Sequence, residues 1–168
     1  TEKDFSRLGR VNHMLRRRLE LLASVERLAA ALEIDSDVGH TCETAEYFFL
    51  SNVLARYEAF QAAVGQRMDK EGAAAVALLF PFTAFFADAP QPLFKGRDAE
   101  EDLEIAAGCF RHLRKLFDEI AECRVFEILR SSYDRGNFLL PKHAKVIAMT
   151  CTHAAIKRRD LLALRVQY

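Results

Sequence analysis

The sequence lacks the motifs by which proteins cradle a nucleotide. It has no G-x-x-x-x-G-K-[ST] phosphate loop, no G-x-G-x-x-G turn, and no acidic motif of the kind that holds magnesium in a nucleotide-hydrolysing core. Without a backbone cradle, a lysine and a metal site, this stretch is expected not to hydrolyse ATP alone and to carry no cofactor of its own. Cysteine is scarce. Cys42, Cys109, Cys123 and Cys151 lie far apart with no C-x-x-C, and a disulfide between Cys109 and Cys123 is excluded geometrically if both lie on one long helix. That usage suits a reducing compartment, cytosol or nucleus. Cys109 and His112 share a helix face and His40 neighbours Cys42, but neither pair gains two further ligands in sequence. The paired Glu-x-x-His motifs of a carboxylate di-iron bundle are missing as well. No apolar run is long enough to span a membrane and there is no secretory signal, so no membrane partner is expected. Net charge is also missing: 24 basic residues balance 24 acidic ones, and overall charge therefore excludes no partner.

What is present is a soluble, globular composition. The 168 residues are 51% hydrophobic and 29% charged, enough for one domain with a core. Charge is unevenly spread. Asp98, Glu100, Glu101, Asp102 and Glu104 crowd one short stretch, whereas Lys142 to Tyr168 hold six basic residues against Asp160 alone. A basic end on a neutral chain points to an anionic partner. The chain starts at Thr1 without methionine and stops at Tyr168 with no terminating signal, which reads as an internal piece of a longer protein.

Helical periodicity dominates. Leu8, Val11, Leu15, Leu19, Leu22, Val25, Leu28 and Leu32 recur at steps of three and four, predicting an amphipathic helix over about 5–33. Asp35, Ser36, Asp37 and Gly39 break it. Thr41 is a good cap for a second helix over about 42–65, with the stripe Tyr47, Leu50, Leu54, Tyr57, Gln61 and Val64. The short loop between the two favours an antiparallel hairpin, and Gly65 to Gly72 is expected to end the second helix. In residues 79–94, Pro81, Pro90 and Pro92 prevent one continuous helix. The dense Phe80, Phe82, Phe85, Phe86 and Phe94 read as packing onto the hairpin, with an exposed partner-binding patch as the alternative. Asp98-x-x-Glu101 is a capping box for a third long helix, over about 98–130, with the stripe Leu103, Ala106, Phe110, Leu113, Phe117 and Ile120. Ser131 to Asn137 reads as turn chemistry around Gly136.

After Pro141 the pattern changes. Lys145-Val146-Ile147-Ala148-Met149-Thr150 is a short apolar run, a candidate buried strand, followed by a helix over Thr152 to Leu164. A lone strand must join a sheet supplied from elsewhere. A strand stopping at Thr150 before a helix leaves unpaired N–H groups where a phosphate oxygen binds, with the Thr150 and Thr152 hydroxyls beside them and Lys157, Arg158 and Arg159 behind. The alternative is that these hydroxyls only cap the helix. Cys151 and His153 imitate a nucleophile and base, but no third group accompanies them. Arg16-Arg17-Arg18 is a basic cluster, either a solvated face or a contact for nucleic acid or an acidic partner.

Several strings resemble the Aquarius family of intron-binding, spliceosomal RNA helicases of superfamily 1. They include Gly9-Arg10-Val11-Asn12, Thr41-Cys42-Glu43-Thr44-Ala45, Asn52 to Glu58, Ala89-Pro90-Gln91-Pro92-Leu93-Phe94-Lys95-Gly96-Arg97, Glu100 to His112, and Lys145 to Ala155. The resemblance covers nearly the whole chain in order and is weakest over Gln61 to Leu79. It implies a mainly α fold. Residues 1–140 would be a helical insertion in a first RecA-like domain, built as a long antiparallel hairpin plus a third long helix. Residues 141–168 would be a returning strand and helix of that RecA-like α/β domain. It also implies a nuclear, ATP-dependent RNA helicase of pre-messenger RNA splicing as the parent protein, which would hold ATP and Mg outside this stretch. The implied partners are intronic pre-mRNA, spliceosomal proteins and subunits of the intron-binding complex. The chain's end resembles the nucleic-acid-contacting strand and loop of Upf-type helicases, which makes Thr150, Cys151, Thr152, His153, Lys157 and Arg158 the candidate RNA-binding residues.

Overall fold

The first helix, α1 (Arg7–Ala31), follows from its apolar spacing. Leu22, Val25, Leu28 and Leu32 are buried as that spacing predicts, but Leu19 is 62% exposed and Leu21 is buried instead. At about 100° per residue Leu19 stands roughly 120° from Val25, whereas Leu21 stands only about 40° away. The structure, a computed structural model, describes residues 7–35, 37–143, 146 and 148–163; the Leu8 side chain lies outside the described part. The helix does not wait for the Asp35–Gly39 breakers. Glu33 adopts a left-handed φ of 56°, the Ile34 N–H donates to the Ala29 carbonyl (3.0 Å), and the Glu33 N–H donates to that of Ala30 (3.0 Å). This is the double closure that usually recruits glycine.

Thr41 caps α2 (Cys42–Phe48) as expected: its hydroxyl accepts the Thr44 N–H (3.1 Å), and the Thr44 hydroxyl accepts the Thr41 N–H (3.1 Å). The stripe on this helix needs correction. Tyr47 is 73% and Leu50 55% exposed, while Phe48 and Val53 are fully buried. The cause is a π-helical turn over Phe49–Leu54 between α2 and α3 (Ala55–Glu71). An i→i+5 turn takes up one residue more than an α turn and rotates everything before it by about 100°. Uninterrupted α geometry from Tyr57 would put Leu50 inward and Phe48 outward, and the wide turn reverses them. The helix also runs past Gly65 to Glu71. It ends at Gly72, whose φ of 55° and ψ of −137° suit only glycine, and α4 (Ala73–Leu79) follows directly.

Residues 80–98 cross without regular structure and pack inward, Phe80, Phe82 and Phe94 being buried and Phe85 and Phe86 half-buried against the core. The crossing is tied to the start of α5 (Ala99–Cys123) by Asp102, a fully buried carboxylate that accepts the Lys95 N–H (3.0 Å) and the Gly96 N–H (2.8 Å). Asp98 caps α5 by accepting the Glu100 N–H (2.9 Å), and Glu101 pairs with Lys95 (2.6 Å) instead of completing the expected box. The core stripe Ala106, Phe110, Leu113, Phe117, Ile120 is buried as read, with Cys123 added. Phe49 meets Phe117 (ring centroids 4.8 Å) and Tyr57 stacks on Phe110 (3.7 Å). Rising numbers on one side meet falling numbers on the other, so α2–α3 runs antiparallel to α5. The third helix breaks at Arg124, and α6 (Val125–Ile128) completes this compact unit, Met14–Ile128.

The second unit gathers Thr1–His13 with Leu129–Tyr168. Ser131 to Asn137 is not a turn. It opens α7 (Ser132–His143), with the Ser131 hydroxyl accepting the Asp134 N–H (3.0 Å), so Ser-x-x-Asp acts as a helix start. The expected strand is not found among the described residues. Val146, Ala148, Met149 and Thr150 have no ladder partner, and Val146 is 85% exposed. Strand hydrogen bonds need a neighbouring strand, and no strand occurs among the described residues. Lys145 and Ile147 lie outside them. Two short helices follow, α8 (Cys151–Ile156) and α9 (Arg158–Ala163).

Candidate nucleic-acid interface

Thr150 has extended backbone angles and is the N-cap of α8, its hydroxyl accepting the His153 N–H (3.3 Å). This hydroxyl therefore caps the helix. Cys151, Thr152 and His153 form the exposed first turn. Cys151 and His153 are two apart on a helix, about 200° around the axis, so they do not face each other as nucleophile and base. Lys157 ends α8, accepted by the Ala155 and His153 carbonyls through its N–H, and is half-buried; Arg158 and Arg159 open α9 with exposed side chains. Of the expected residues, Thr150, Cys151, Thr152 and His153 thus come together in one turn, while Lys157 and Arg158 stand at the far end of a six-residue helix.

The Arg16-Arg17-Arg18 cluster is not a free basic face. Arg17 grips Glu119 through Nε (3.1 Å) and Nη2 (2.6 Å), which holds the guanidinium above its ordinary pKa. Arg18 grips Glu127 with Nε (2.9 Å) and Nη2, and reaches the His40 carbonyl (3.3 Å). Arg16 is exposed, and among the described residues it enters no ion pair. Glu127 also accepts the Cys42 N–H (3.0 Å), one of the donors a helix start leaves unsatisfied. Burial pushes the Glu127 carboxyl up, but Arg18 and the Cys42 N–H outweigh it and hold it below its ordinary value. Burial, with Glu127 alongside, pushes the Cys42 thiol up to about 11, so it stays protonated and unreactive at neutral pH. Nothing in the local sequence flagged this clasp, because Glu127 lies 85 residues from Cys42 and 109 from Arg18. Among the described residues no group of His, Cys, Asp or Glu is arranged to hold a metal, and no helix is long and apolar enough to cross a membrane.

The described residues therefore define a mainly helical segment with a small basic helical end. No protein-family model matches the chain. It is 54% identical to the RNA helicase aquarius of Mus musculus over 177 aligned positions, a match that takes in 100% of this chain and 12% of that protein. The chain is a segment of the aquarius type and spans 12% of the length of that curated relative.

Proposed function

We propose that the chain is a non-catalytic part of an ATP-dependent RNA helicase that acts on intronic pre-mRNA during splicing in the nucleus. The observation that carries this reading is the 54% identity, along the whole chain, to a protein named as an RNA helicase. ATP and Mg would be held by other parts of the parent protein, as a helical insertion of a RecA-like domain requires. Spliceosomal proteins and intron-binding complex subunits are its proposed neighbours. Within this reading the first turn of α8 and the start of α9 touch the RNA backbone. The exposed Thr152 hydroxyl, His153 and Arg158 supply hydrogen bonds and charge there, and Thr150, Cys151 and Lys157 hold the turn. Such contacts position an RNA without reading its bases.

A second reading is a helical docking platform for other spliceosomal proteins, without RNA contact. It is favoured by Tyr47, Leu50 and Leu78, large apolar side chains that stand exposed on the larger unit. Binding of labelled single-stranded RNAs to the intact protein separates the two. Arg158→Glu with Arg159→Glu should weaken binding to unrelated sequences alike and flatten its salt dependence by about 0.7 per lost phosphate contact. Unchanged affinity and slope in the folded double variant would favour the platform.

A further inference from the structure

Four of the five residues Arg111, His112, Leu113, Arg114 and Lys115 are basic, and all four basic ones are exposed. They lie in mid-helix on α5, whose last turn carries no basic residue, so they do not serve to complement the helix dipole. Among the described residues no ion pair engages any of them. Arg111 and Lys115 are four apart on one face, a like-charge spacing that opposes the helix. Glu104 and Asp118 bound the run along the helix, and Glu119 is committed to Arg17. The fold thus retains a cationic surface that no ion pair ties up among the described residues, with Asp118, three and four residues on from Lys115 and Arg114, as its nearest acidic neighbour along the helix.

The patch continues sideways onto flat groups. The His112 ring meets the half-buried Phe86 edge-on (5.9 Å), Phe86 meets Phe85 edge-on (5.1 Å), and the exposed Arg27 of α1 lies over the Phe85 ring (5.7 Å). Arg27, Phe85, Phe86 and His112 therefore form an unbroken line of π-bearing groups that ends in the α5 cations. Cations alone suit any acidic partner. Cations alternating with guanidinium and aromatic planes suit one that offers both phosphates and bases.

We propose that this face of the larger unit, Arg27–Phe85–Phe86–His112 with Arg111, Arg114 and Lys115, is a second contact for single-stranded RNA, separate from the α8–α9 turn. It rests on the reading of the parent protein as RNA-binding and adds a subsite to it. Phosphates lie along Arg111, Arg114 and Lys115, and a base covers the outer face of the Arg27 guanidinium. The surface holds the strand by charge and stacking and is indifferent to sequence.

The test is fluorescence anisotropy of the intact protein with a labelled single-stranded oligouridine across 50–200 mM salt. Arg111→Gln/Arg114→Gln/Lys115→Gln should flatten the salt dependence by about 2, at about 0.7 per phosphate, so the loss of affinity across that range shrinks roughly tenfold to twentyfold. The three side chains are exposed, and an unchanged melting temperature establishes that the variant folds. Arg27→Ala, which removes a stacking plane on the adjoining helix, should weaken binding even where the triple variant is not made. A wild-type slope in the folded triple variant, with weakened binding in the α8–α9 double variant, overturns the second contact and leaves the first reading standing. No RNA binding by the intact protein overturns both. A triple variant that loses polyglutamate binding while keeping its RNA affinity and slope also overturns the proposal, by assigning the patch to an acidic protein.

Discussion

Replacing Glu127 should reveal how much of the larger unit depends on one carboxylate. Its Oε1 receives Arg18 Nε, Arg18 Nη2 and the Cys42 N–H, and so ties α1, the start of α2 and α6 together. The Arg18 and Glu127 side chains are each 20% exposed, too enclosed to count as a surface pair. Breaking a buried pair costs about 3–5 kcal/mol. With some water reaching both groups, Glu127→Ala should fall at the lower end, about 3 kcal/mol. Glu127→Gln keeps an acceptor but loses its charge, trading charge-assisted hydrogen bonds for neutral ones, and should cost about 1–2 kcal/mol. The pH dependence has a definite sign. The folded carboxyl is held below its ordinary value, so its contribution is fully present above the unfolded pKa of about 4.3 and is lost as pH falls through the folded pKa. Urea titrations of the 168-residue chain, followed by circular dichroism between pH 3 and 7, measure both quantities. The wild type should lose more stability than Glu127→Gln on acidification through that window. A double-mutant cycle with Arg18→Met that returns no coupling at pH 7, or parallel acid curves for the two proteins, would refute the reasoning.

Three further outcomes follow from the packing. Phe48→Ala should cost about 3–5 kcal/mol because the ring is fully buried, whereas Tyr47→Ala should stay within about 0.5 kcal/mol; equal urea midpoints for the two would mean the π turn is misplaced. Asp102→Asn should cost about 1–3 kcal/mol, since the buried amide can turn only one acceptor towards the Lys95 and Gly96 N–H groups now held by two carboxylate oxygens, with faster amide exchange at Lys95 and Gly96 as the local readout. Glu33→Gly should raise stability by about 0.5–1 kcal/mol by relieving a left-handed backbone at an exposed position, and a lowered melting temperature would count against that helix ending.

The sequence alone was sufficient for the helical class and for most of α5. Its stripe from Ala106 to Ile120 is uninterrupted α-helix with one strongly apolar face, so spacing and burial coincide. It was sufficient for Thr41 too, because a cap acts within four residues of itself. Spacing misread the face of α2 because a π turn is a change of pitch with no composition of its own. Tyr47 and Leu50 fit an apolar stripe as readily as Phe48 and Val53, and only the packing selects between them, with Phe48 buried against the Phe117 ring (6.4 Å) and Val53 in the core. Spacing likewise took Ser131 to Asn137 for a turn, where residues that suit turns equally suit a helix start. On the candidate site, Thr150, Thr152 and Arg158 could be named from their order in the chain. That Arg17 and Arg18 are spent on Glu119 and Glu127, while Arg111, Arg114 and Lys115 enter no ion pair among the described residues, could not. A charge's availability depends on which opposite charge the fold brings within about 4 Å, and those partners come from about a hundred residues away. Local periodicity decides which residues form a helix, and only the tertiary structure decides which of its charges are left for a partner.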